Sequence, residues 1–235
     1  IRDRIIIQSK CSISNGYYDS SSEHILGSVD QSLQRLGIDS LDFLLLHRPD
    51  ALIEPEDVAE AFNTLEQAGK VRYFGVSNYN PSQIGLLQKY VGQKLVINQL
   101  QFSLAHTLSI DSGINVNVHC DHAIDRTGGV LEYCRFNEIT VQAWSPFQYG
   151  MFEGVFLISD KYKALNEEIK KLALEKGVTD SAIAVAWILR HPAKIQTIVG
   201  TMNEQRLRDI CVASEVELSR TEWYKLYLAA GNPLP

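Results

Sequence analysis

The 235-residue sequence is poor in several things at once, and each shortage removes a class of function. It has no basic excess: 22 Lys and Arg stand against 28 Asp and Glu, for a formal net charge of −6. Polyanion binding needs clustered positive charge, so the scattered Lys and Arg argue against a nucleic-acid partner. No apolar run approaches the ~20 residues that cross a bilayer, so no membrane partner is expected. No basic segment followed by an apolar stretch opens the chain, so no signal peptide is visible and a cytoplasmic location is expected. Cys11, Cys120, Cys134 and Cys211 form no CxxC pair and read as reduced thiols. The group "HCDH" (119–122) is not matched by a second ligand pair at zinc spacing, so a metal site is not expected. There is also no low-complexity linker, no repeat and no GxGxxG turn.

What is present begins with 45% hydrophobic residues, enough for a sizeable core in one large domain or two small ones. Strand-like runs occur at "RIIIQSK" (4–10), "LDFLLLH" (41–47), "VRYFGVSN" (71–78), "LVINQLQFS" (95–103), "ITVQAWS" (139–145) and "IQTIVGT" (195–201). Helical patterns alternate with them. Ile25, Val29, Leu33 and Leu36 share one helical face over 22–36, with Gly37 as the stop. Residues 55–70 have Pro55 at a helix start and acids in the first turn. Further helices are predicted at 80–91, 127–137, 160–176, 179–191, 203–213 and 219–230. Near-continuous apolar strands alternating with helices mean parallel βαβ units, hence an α/β fold.

Two architectures compete, an open doubly wound sheet and a closed (β/α)8 TIM barrel. The first often carries a glycine-rich turn after a strand. In the second, polar residues gather at the C-terminal ends of the strands. That is the pattern here, with Lys10, His47, Ser77 and Asn78, Trp144 and Ser145, and Gly200 and Thr201 at strand ends and Gln99 deeper in its strand. The barrel is favoured, although six strands are visible where such a barrel has eight.

Each candidate has a bland alternative. Lys10 can be a solvated lysine at a strand exit, or a partly desolvated one whose pKa falls. His47 can be a plug satisfied by a backbone carbonyl, or a polar group at a cavity. Asn98 and Gln99 can pair structurally or receive a planar carboxamide; unpaired in an apolar strand they would cost about 1–3 kcal/mol each. Trp144 can be core or can stack on a flat ring. Gly200 and Thr201 before a helix that holds Arg206 suit a phosphate.

The strings "LDFLLLHRPD" (41–50) and "GKVRYFGVSNY" (69–79), with the order of strand-end residues, resemble the aldo-keto reductases, NADP(H)-dependent (β/α)8-barrel oxidoreductases. The resemblance runs from Ile5 onward, and "QFSLAHTLSIDSG" (101–113) brings it closest to the bacterial YdhF-like branch. It implies a single barrel domain over 1–235 that moves hydride between NADPH and an aldehyde or ketone. Lys10 would be the catalytic lysine and His47 the histidine that orients the carbonyl. Ser77, Asn78 and Gln99 would hold the nicotinamide carboxamide, with Trp144 on the ring in place of the commoner tyrosine. Ser145 and its loop, to about Gly150, would take the pyrophosphate. Gly200, Thr201, Asn203 and Arg206 would serve the 2′-phosphate, and Asp209 the adenine side. Gly200 replaces a common lysine and Ile210 a common asparagine, so NADP preference rests mainly on Arg206.

The family's catalytic Asp and Tyr lie upstream of the strand that ends in Lys10. The resemblance therefore implies that two strands and one helix, roughly 60–80 residues, precede residue 1, and that the chain is inactive without them. A different implication is a nucleotide-binding sensor related to the potassium-channel β-subunits, which also place a tryptophan over the nicotinamide. A third is a fragment whose unpaired strand edge aggregates. Neither the carbonyl substrate nor the oligomeric state is legible.

Overall fold

Leu44, Leu45 and Leu46 are fully buried in the middle of the first of two compact units of the chain. A computed structural model describes residues 2–235, apart from the side chain of Asp3. The first unit comprises residues 1–99 and 133–139, the second 100–132 and 140–235.

The first unit begins as a run of strand–helix repeats: β1 (Gln8–Cys11), α1 (Ser22–Leu36), β2 (Leu41–Leu46), α2 (Pro55–Gln67), β3 (Val71–Ser77), α3 (Pro81–Tyr90) and β4 (Leu95–Gln101). β1, β2, β3 and β4 pair in that order and in parallel. Local chemistry sets the helix limits. Ser21 caps α1 by accepting from the His24 amide, and Gly37 ends it at φ +63°, a conformation glycine adopts without a Cβ penalty. Asn80 and Gln83 close a reciprocal capping box ahead of Pro81. Val58, Ala61, Phe62 and Leu65 form the buried stripe of α2, and Phe62 stacks on Phe74 of β3 at 4.1 Å.

Gly75 shows why one strand needs a glycine. Between the pairs Phe74–Leu95 and Val76–Asn98, β4 carries one extra residue. A Cβ at Gly75 would lie 2.6 Å from the Ile97 carbonyl oxygen and 2.7 Å from the Leu45 side chain. The bulge closes only because that Cβ is missing.

The strands predicted at the two ends of the set are shorter than their apolar runs. Ile5 and Ile6 precede β1 and are exposed, Ile6 at 76%. Ile7 alone touches the sheet, where its carbonyl accepts from the amides of Asp42 and Phe43.

The second unit contains α4 (Leu108–Ile114), part of α5 (Val130–Phe136), β5 (Thr140–Trp144), the hairpin strands β6 (Gln148–Tyr149) and β7 (Gly154–Val155), α6 (Lys163–Lys176), α7 (Asp180–Leu189), β8 (Gln196–Thr197), α8 (Glu204–Cys211) and α9 (Arg220–Ala229). β5 and β8 are parallel, through Gln142–Gln196 and Ala143–Thr197. α7 is apolar all round and buried from Ala182 to Ile188, as a helix enclosed by others must be. Trp187 stacks on Trp223 of α9 at 4.7 Å, and each indole N–H donates to the other's backbone carbonyl. α4 and the hairpin were not foreseen. "LSIDSGI" offers little helical periodicity, and two-residue strands carry none. No described helix is long and apolar enough to cross a membrane.

Candidate active site

In the first unit the polar strand ends are built from the sheet outward. Lys10 sits one residue before the end of β1, opposite Leu45, and is half-buried. Burial lowers its pKa below the ordinary lysine value. His47 follows β2, with its backbone N–H donating to the Cys11 carbonyl at 2.9 Å. Its pKa is pushed down to about 4, first by burial and then by the charges of Lys10 and Arg48. At neutral pH the ring is therefore an uncharged imidazole beside a cation. The backbone carbonyl alternative for His47 concerns its ring, and the bond seen here is made by its main chain.

Next along the sheet, Ser77 is buried and donates to the Gln99 carbonyl at 2.9 Å. Asn78 adopts φ +62°, its amide N–H donates to the same carbonyl, and its Nδ2 donates to Ser77 Oγ. Asn98 and Gln99 are both buried in β4. The Asn98 Nδ2 donates to the Tyr79 carbonyl, while its buried Oδ1 has no hydrogen-bond partner among the described residues. Gln99, also buried, lies opposite Ser77.

Two residues of this region escaped the sequence reading although both lie in the quoted strings. Asp50 accepts from the amides of Ser20 and Leu52, which ties the loop after β1 to the turn after β2. Tyr79 donates from its hydroxyl to the Arg48 carbonyl at 3.2 Å, and burial raises its pKa. Both hold the segment that carries His47. Their signal was position in "HRPD" and "SNY", but neither sits at a strand end.

In the second unit the candidates are more exposed. Trp144 is half-buried and tilted against Phe152 at 6.4 Å. Ser145, at φ +52°, donates to Gln148 Oε1 at 2.8 Å. The Gly150 carbonyl accepts from Gln101 Nε2 at 2.6 Å, and Gly150 has φ +56°. Gly200 has open space around a notional Cβ, so no contact demands a glycine there. Thr201 Oγ1 accepts from the Asn203 amide, and Asn203 caps α8 by accepting from the Arg206 amide at 2.8 Å. The Arg206 guanidinium is exposed and has no partner among the described residues. Asp209 accepts from Gln205 Nε2 at 2.8 Å.

All four cysteines are free; burial raises Cys11 to about 12 and Cys134 to about 11. Among the described residues no group of three His, Cys, Asp or Glu is placed to hold a metal ion. His122 of the "HCDH" group instead lies 3.7 Å from Asp111.

Comparison with known proteins gives this arrangement a context. The chain is 36% identical over 243 residues to a 6-dehydroglucose reductase of Agrobacterium fabrum, covering 99% of this chain and 75% of that protein. It is 33% identical to oxidoreductase YdhF of Escherichia coli, covering 100% and 76%. The solved structure of a thermostable aldo-keto reductase, Tm1743, superposes with a TM-score of 0.73 at 24% identity, covering 97% of this chain and 73% of that one; a likeness at that identity speaks for the (β/α)8-barrel fold. The sequence pattern of the aldo/keto reductase family matches residues 1–227. The chain belongs to the aldo/keto reductase family, with its α/β barrel fold, and is a carbonyl-reducing oxidoreductase.

Proposed function

We propose that the enzyme transfers hydride between NADP(H) and an aldehyde or ketone, with residues 1–235 acting as one domain. The observation that carries this reading is the pairing of a half-buried Lys10 with an uncharged His47 at adjacent strand ends. A neutral imidazole can donate a hydrogen bond to a carbonyl oxygen without titrating near pH 7. Lys10, half-buried and without an acidic partner among the described residues, lowers the pKa of the tyrosine that the family pattern places ahead of it. That tyrosine protonates the developing alkoxide.

The donor set fits the cofactor. Arg206 offers a guanidinium without a partner among the described residues and Thr201 a hydroxyl just ahead of α8, which is the chemistry a 2′-phosphate requires. NADP(H), when bound, supplies the hydride. In this reading Ser77, Asn78 and Gln99 fix the carboxamide and Trp144 covers the ring. Ser145 and the loop to Gly150 bind the pyrophosphate. Gly200 leaves room for the phosphate that Thr201, Asn203 and Arg206 hold, and Asp209 serves the adenine side. The relative from Agrobacterium fabrum is named for 6-dehydroglucose, and that is the first carbonyl we would offer.

The test is cofactor binding, followed by tryptophan fluorescence. Arg206→Ala should weaken NADPH by about tenfold or more while leaving NADH nearly unchanged. Equal affinity of wild type and variant for NADPH would remove the phosphate assignment. With the family's tyrosine in the protein, Lys10→Met should lower NADPH-dependent reduction about a hundredfold or more; unchanged turnover would remove Lys10 from the reaction.

A further inference from the structure

A cleft of about 390 Å³ opens in the second unit between α4, the end of α7 and the start of α9, and its lining shares no residue with the candidate active site. That volume lies within the range of small-ligand sites. Its walls divide by chemistry. Arg190, at the C-terminal cap of α7, and Arg220, the first residue of α9, bring two guanidinium groups to it. Arg190 donates its Nε to the Leu218 carbonyl at 2.8 Å, and Arg220 makes no hydrogen bond or ion pair with a described residue.

Among the described residues no acid forms an ion pair with either arginine. Glu222, on the first turn of α9, is taken by Lys176 at 2.9 Å and by the Ser219 amide, which hold its pKa down at about 2. Glu132 also lines the cleft but forms no ion pair with either arginine. Two guanidinium charges less one carboxylate leave a net single positive charge on a concave wall, where field lines concentrate. The remaining wall is apolar: Ile110, Ile114 and Pro192 line it. Trp223 lines it too and is fixed by stacking on Trp187 at 4.7 Å and on Tyr227 at 5.9 Å, so this part of the wall costs little ordering on binding. His191, also in the lining, accepts at Nδ1 from the Ala193 amide, which places the proton of its neutral ring on Nε2.

We propose that this cleft binds a small organic monoanion with an apolar body, an aryl or alkyl carboxylate. Arg190 and Arg220 take the carboxylate, and Ile110, Ile114 and Pro192 cover the apolar part. Glu132 sets the selectivity, because a second negative charge on the ligand would face it.

The test titrates benzoate and hexanoate, with methyl benzoate, hexanol and sulfate as comparisons, at constant ionic strength and with the tryptophan fluorescence as readout. Arg220→Ala changes an exposed side chain without structural bonds, so it should fold normally. It and Arg190→Ala should each weaken benzoate by about tenfold or more, while Arg35→Ala, in the first unit, should not. Glu132→Gln should tighten benzoate and admit sulfate. The proposal is overturned if no carboxylate saturates, if the neutral ester binds as well as the acid, or if sulfate binds wild type as tightly as benzoate. It is equally overturned if carboxylate binding ignores both arginines, which would assign that binding to another pocket.

Discussion

The polar strand ends of the first unit and those of the second are held in place by opposite means. Ser77, Asn78 and Gln99 are bonded across strands that lie far apart in sequence, and Ser77 and Gln99 are buried. Thr201, Asn203 and Asp209 are bonded to residues two to four positions away, and Asn203 and Arg206 are exposed. A long-range buried bond holds a donor in place through the sheet, so geometry and stability are coupled there. A local bond at a helix start leaves the neighbouring guanidinium to reach a ligand, so affinity can change while the fold does not. Substitutions should therefore be costly in the first set and cheap in the second.

The sharpest test of that coupling is Gly75→Val, whose side chain would need the space held by the Ile97 carbonyl oxygen and the Leu45 side chain. Overpacking of a buried sheet typically costs 1–3 kcal/mol and here, against backbone, about 3 kcal/mol. Denaturant unfolding measures it, and a loss under about 1 kcal/mol would mean the β3–β4 bulge can shift and the first set is not rigid. Ser77→Ala comes next. It removes one bond to the Gln99 carbonyl and one from Asn78 in a buried setting, at an expected cost of about 2 kcal/mol.

The sequence made these two places unequally visible. The Ser77–Asn78 pair at the end of β3 was noticed because it interrupts an apolar strand, and interruption is a local signal. The bulge that requires the glycine was not, because register depends on a partner strand twenty residues later. Similarly, α1 runs from Ser22 to Leu36 as its pattern predicts, with Ile25, Val29 and Leu33 buried and Leu36 exposed at its end, since cap, stripe and Gly37 are all local. β1 and β8 were drawn too long, because Ile5, Ile6 and the residues after Thr197 are β-formers left without a full ladder. Burial at Lys10 was one of two readings left open by the sequence; the Lys10 charge acting on His47 required two strand ends to be adjacent.

In the second set, Asn203→Ala removes the α8 cap and should cost about 1 kcal/mol, half the Ser77 value, with NADPH affinity affected more than stability. Equal losses for Ser77→Ala and Asn203→Ala in urea unfolding would break the contrast between long-range and local bonding.

The smallest expected effect is also the most specific to the first unit. The folded His47 ring has a pKa of about 4 against an ordinary 6.5. Between those values the unfolded chain binds a proton that the folded chain refuses. Stability therefore falls as pH drops from about 6.5 toward 4, is unaffected by this group above the window, and loses nothing further below it. The ring is half-exposed, so solvent screening keeps the slope shallow. Burial is the larger cause and the Lys10 charge the next, which predicts that Lys10→Met raises the His47 midpoint in an NMR titration without restoring 6.5. A wild-type midpoint near 6.5 would place the ring in water rather than at a desolvated strand end. A midpoint indifferent to Lys10→Met would separate the two side chains, and with them the pairing on which the carbonyl chemistry was argued.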